Sequence, residues 1–107
     1  MSPNEVKPAK FPAPLVIYND PEEEFSIAWG PYKGGSKRLA IRWNGDGDET
    51  GYPNRGKYPC WFMIPDNLIL LVIKGLRDPA NADPKAVIQP ALSEVIGELR
   101  AEGALDV

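Results

Sequence analysis

Hydrophobic and polar positions alternate most clearly between Glu24 and Trp43. Phe25, Ile27 and Trp29 fall on one side of an extended chain, with Ser26 and Ala28 on the other. This is the period-two pattern of a half-buried strand. Gly34-Gly35 supplies residues that tolerate positive φ, as a hairpin connection requires. The alternation resumes over Lys37 to Trp43, with Leu39, Ile41 and Trp43 facing one way and Arg38, Ala40 and Arg42 the other. A further strand is predicted at Leu15-Val16-Ile17-Tyr18, closed by the turn signal Asn19-Asp20-Pro21. Cys60 to Ile64 is continuously apolar between Pro59 and Pro65 and reads as another strand of the same sheet.

The period then changes. Asp66 is placed to cap a helix running to Leu76 or Arg77, ended by Asp78-Pro79. Its residues Leu68 to Ile73 are apolar all round, whereas a helix lying on one sheet shows a polar face. Burial on two sides is therefore expected, by a C-terminal helix or by a second subunit, and a homodimer through the Leu68–Leu76 helix is predicted. Pro84 suits a first helical turn after an Asp83 cap. Ile88, Leu92, Val95, Ile96 and Leu99 follow as a helical stripe that frays near Gly103. Pro90 within that stripe starts a new helix or kinks the old one.

Residues 1–14 contain Pro3, Pro8, Pro12 and Pro14, which rule out helix and central strand. They are expected to form an extended Pro-rich arm, as a solvated tail or a partner-docking segment. Residues 15–107 are expected to form a single α+β domain, a small antiparallel sheet of three to four strands packed by two helices. A chain of 107 residues supports one core and no second one.

Composition removes several kinds of chemistry. There is no histidine, which takes away the commonest general base and the commonest transition-metal ligand. Cys60 is the single cysteine, so no internal disulfide forms and a reducing compartment is favoured. The first residues lack the apolar segment of a secretory signal. The run Leu68 to Ile73 is far short of the about 20 residues that span a bilayer. A cytoplasmic protein without membrane contact is expected. The loop from Asn44 to Pro59 places oxygens at Asn44, Asp46 and Asp48 as a calcium loop does. Glu49 then stands where that loop needs glycine, and Arg55 where it needs a bidentate glutamate. No metal, cofactor or catalytic residue is expected.

Net charge is −3, so bulk charge does not favour a polyanion, and nucleic-acid binding requires a local patch. Such a patch is present in the sequence. Between Lys33 and Tyr58, six cations and three anions give a segment of +3, leaving −6 for the rest. Eight of the ten aromatics lie between Phe25 and Phe62. If Phe62 and Ile64 point into the core, Trp61 and Met63 point toward the opposite face. Single-stranded nucleic acid is held by such a surface: bases stack on rings while cations track phosphates. The candidate contacts are Arg38 and Arg42 for phosphates, Lys37 and Lys57 for the field, and Trp43, Tyr58 or Trp61 for stacking. Trp43 also alternates with the core-facing Leu39 and Ile41.

The order of strands, polar loop, strand and apolar helix resembles the single-stranded-DNA-binding transcriptional cofactors of the Whirly type. Leu39-Ala40-Ile41-Arg42-Trp43 looks like the family strand that ends in an arginine and an aromatic. Gly56-Lys57 is similar to the family's basic approach to its last strand. The resemblance covers residues 24–77. It implies a curved antiparallel sheet followed by a helix, subunits packed through their helices, and single-stranded DNA as ligand. The three loop acids and a C-terminal helix are additions to that pattern. Two functions stay open: a non-catalytic binder of single-stranded nucleic acid, or a small protein-interaction module of the phage or mobile-element accessory type with a protein partner. An enzyme would have only carboxylates to work with.

Overall fold

The computed structural model describes residues 1–103. Its chain order is a 3-10 turn at Pro3–Glu5, then β1 (Leu15–Asp20), β2 (Phe25–Pro31) and β3 (Lys37–Trp43). After these come β4 (Asn54–Arg55), β5 (Tyr58–Pro59) and β6 (Phe62–Met63). A second 3-10 turn at Asp66–Leu68 leads into α1 (Ile69–Arg77), and α2 (Gln89–Ala101) follows. The fold is α+β. β1-β2-β3-β6 form a four-stranded antiparallel sheet, and β4 and β5 form a separate two-stranded one.

The β2–β3 hairpin follows the predicted alternation, pairing Phe25 with Trp43 at one end and Pro31 with Lys37 at the other. Because partners in register share a face, Ile27, Trp29, Leu39 and Ile41 form one side of the sheet. They pack with Ile64, with Ile73 and Leu76 of α1, and with Leu92, Val95 and Leu99 of α2. The C-terminal helix begins at Gln89, not near Pro84, and Pro90 lies in its first turn. Residues 86–88 instead run along β1: Asn19 donates to the Ala86 carbonyl and Ile88 to the Ile17 carbonyl, each at 2.9 Å. They thereby satisfy edge groups that a helix could not reach.

The other side of the sheet is covered as well. Val6, Phe11, Val16, Ala28, Ala40 and Trp61 are buried together as a second cluster. The Pro-rich segment is thus a docked layer, not a solvated tail. Its four prolines restrict the unfolded arm, so less entropy is lost on docking. Burying Val6 and Phe11 contributes about 1.5–3 kcal/mol each. Gly30 is where the arm comes closest: a Cβ there would sit 2.6 Å from the Ala13 carbonyl oxygen.

α1 is less enclosed than its composition suggested. Ile73 and Leu76 are buried, whereas Leu71 is 67% and Leu68 40% exposed. Asp66 does not cap it. The Asp66 carboxylate lies 3.3 Å from Arg38 Nε, and the helix is entered through the 3-10 turn. No described helix is long and apolar enough to cross a membrane.

Candidate functional site

The loop after β3 is organised around Arg42. This residue is 1% exposed. Nη1 donates to the Cys60 carbonyl at 2.5 Å, Nη2 to the Thr50 carbonyl, and Nε to Asn44 Oδ1 at 3.3 Å. Its charge faces three neutral acceptors, and burial lowers its pKa from the ordinary value. Gly51 makes the wrap feasible, with φ of 71° and no room for a side chain: a Cβ would lie 2.0 Å from the Trp43 carbonyl oxygen. The loop from Asn44 to Pro59 therefore returns to the sheet, where Tyr52 bridges to Trp43. It then forms the β4–β5 hairpin.

Arg42 is accordingly not on an open surface, which corrects its expected placement as an exposed phosphate contact. Its three-fold attachment to loop acceptors keeps it inside. Trp61 is corrected likewise. It is 7% exposed, packs edge-on to Phe11 at 5.9 Å, and donates from Nε1 to the Val6 carbonyl at 2.8 Å. Trp43 is on the helix side of the sheet, against Phe25 at 5.4 Å. Lys37 is ion-paired with Glu98, which also accepts from Trp29 Nε1 at 2.9 Å. Arg38 lies against Asp66 and donates to the Ile64 carbonyl at 3.4 Å. These five candidates do not form one surface.

The remaining two, Lys57 and Tyr58, are exposed on the β4–β5 hairpin, with Lys57 Nζ 5.7 Å from the Tyr58 ring centroid. Tyr58 and Trp61 meet at a cleft of about 610 Å³ between the N-terminal arm and this hairpin. Lys7 and Lys10 line it from the arm, Arg55 from β4, and Tyr32 from the β2–β3 turn. Phe11, Trp61 and Met63 add apolar surface, and no carboxylate lines it. Only two ion pairs form among the described residues, Lys37–Glu98 and Arg38–Asp66, so the cleft's cations keep their charge for a ligand. A carboxylate-free, cationic and aromatic concavity on a chain of net charge −3 suits an anion that carries a flat ring.

Lys7, Lys10, Phe11, Tyr32 and Arg55 are the residues that the strand pattern passed over. One signal was available: Val6 and Phe11 are apolar residues inside the proline-rich arm, and a solvated tail has no use for them. No group of three or more Cys, Asp or Glu among the described residues is arranged to hold a metal ion. Comparison with protein-family models, curated proteins and solved structures gives no match for this chain. The reading of function rests on the cleft.

Proposed function

We propose that the protein is a non-catalytic binder of single-stranded nucleic acid, and that the arm–hairpin cleft is its binding site. The observation that carries this reading is the convergence of Lys7, Lys10 and Arg55 with Tyr32 and Tyr58 in a cleft without carboxylates. Cations there attract phosphate, and an exposed ring accepts a base by stacking, worth about 1–3 kcal/mol. The site differs from the sheet face expected from strand alternation, since the arm lies over that face. The resemblance to Whirly-type cofactors points to the same ligand class. The exposed side of α1, with Leu68 and Leu71, supports a homodimer through that helix.

Anisotropy of a labelled single-stranded oligonucleotide, titrated at low and rising salt, tests the reading. Binding that weakens with rising salt is expected, by about 0.7 in log affinity per log salt for each phosphate contact. No detectable binding at low salt rejects it, and the protein-interaction module then takes its place.

A further inference from the structure

The cations of this protein do not form a track. Lys37 is held by Glu98, Arg38 lies against Asp66, and Arg42 is sealed under the loop. What remains near the cleft is a cluster: Lys7, Lys10 and Arg55 in its walls, Lys57 beside Tyr58, and Lys33, whose Nζ lies 5.3 Å from the Tyr32 ring centroid. A groove that follows a strand needs positive charge along its length, whereas a cluster neutralises one phosphate position.

The hairpin adds a second, independent observation. Arg55 and Tyr58 are register partners across β4 and β5. Side chains at directly opposed positions stand about 4.5–5.5 Å apart at Cβ. A cation and an exposed ring thus project from neighbouring positions of one hairpin, as contacts to the phosphate and the base of one nucleotide require. Tyr58 is the exposed ring of the cleft, since Tyr32 is half-buried with Lys33 and Arg38 over it. Trp61 and Phe11 are buried edge to face, and the Trp61 N–H is already bonded to Val6. A volume of about 610 Å³ lies within the range of about 300–1,000 Å³ typical of small-ligand sites.

Resting on the nucleic-acid reading, we propose that the cleft is a pocket for one phosphorylated nucleotide unit. Tyr58 stacks the base, and Arg55 with the arm's Lys7 and Lys10 holds the phosphate. The same chemistry is presented by a free mononucleotide and by the phosphorylated end of a strand.

The test is competition at low salt against a 3′-fluorescein, 5′-phosphorylated oligothymidylate of about ten residues, a length within the usual site sizes of about 4–16 nucleotides. Thymidine 5′-monophosphate should displace it fully, and thymidine should not. Affinities of 5′-phosphorylated strands, from the dinucleotide upward, should agree within about threefold. Removing the 5′-phosphate from the strand should weaken it, which separates a strand end from a strand interior. Tyr58→Ala should weaken the monophosphate by about 5- to 150-fold, with Tyr58→Phe restoring it. Tyr58 is 65% exposed, so neither variant disturbs the core. Affinity that climbs with each added nucleotide, without displacement by the monophosphate, overturns the single-unit pocket and leaves strand binding standing. Direct calorimetric titration with thymidine 5′-monophosphate covers the case in which the labelled strand does not bind: monophosphate binding there keeps the pocket and removes the strand reading. Failure of both ligands removes both.

Discussion

Trp61 Nε1 donates a 2.8 Å hydrogen bond to the carbonyl of Val6, 55 positions earlier in the chain. That bond joins the N-terminal arm to the strand end that forms the floor of the cleft. Deleting the arm therefore removes Lys7 and Lys10 from the site and uncovers Trp61 at once. Phe11→Ala tests the packing alone. It should cost about 3–5 kcal/mol of stability, read by urea unfolding, with tryptophan emission shifted to the red. An unchanged midpoint would mean that the arm does not hold this position in solution.

Arg42 should act through folding, not through contact with ligand. Arg42→Met leaves the Cys60 and Thr50 carbonyls without their donor. Each buried group so orphaned costs about 1–3 kcal/mol. Loss of stability with faster hydrogen exchange over residues 44–60 is expected. Wherever the variant is still folded, the salt slope of oligonucleotide binding should be unchanged. A reduced slope in folded protein would return Arg42 to the phosphate contacts.

Charge removal separates the cleft from the rest of the surface. Lys7→Ala and Lys10→Ala should each weaken oligonucleotide binding at low salt, and the double variant should lower the slope of log affinity against log salt by up to about 0.7. Lys37→Ala should not, since Lys37 is engaged by Glu98. Equal effects at all three positions would favour a diffuse field over a site.

The Lys37–Glu98–Trp29 cluster has a pH signature. The hydrogen bond from Lys37 is the main cause holding the Glu98 carboxyl below its ordinary value; burial opposes it, and the bond from Trp29 adds to it. A carboxyl depressed in the folded state stabilises that state above its unfolded pKa, and the stabilisation is lost as pH falls through the folded value. The Trp29 indole N–H resonance should thus titrate with a midpoint under the usual carboxylate range. Lys37→Met should move that midpoint upward. A wild-type midpoint at the ordinary value would show the pairing to be absent in solution.

Assembly is tested at α1. Leu71 is 67% exposed on α1, whose first five residues are all apolar. Light scattering at micromolar concentration should report a dimer, and Leu71→Glu should dissociate it. A wild-type species of only 11.8 kDa would overturn the dimer.

The strands and helices of this chain were largely legible from residue order, because their signals are local. Two-residue alternation placed Phe25–Pro31 and Lys37–Trp43 on one hairpin, an apolar run between Pro65 and Pro79 marked α1, and a helical stripe marked α2. Side-chain alternation also put Leu39 and Ile41 opposite Ala40 and Arg42. What alternation could not state was what lies over each face. That depended on contacts between distant segments: Val6 with Trp61, and Thr50 and Cys60 with Arg42. A proline-rich arm has no period, so its order marks Val6 and Phe11 as apolar but does not say which surface they cover. Likewise, an arginine on a strand reads as exposed until the carbonyls that accept its donors are brought to it. Composition made a cationic and aromatic site plausible and excluded histidine chemistry. Only the folding of the arm and the β4–β5 hairpin around the sheet gathered Lys7, Lys10, Arg55 and Tyr58 into one cleft, since their proximity comes from long-range packing and not from neighbouring positions in the chain.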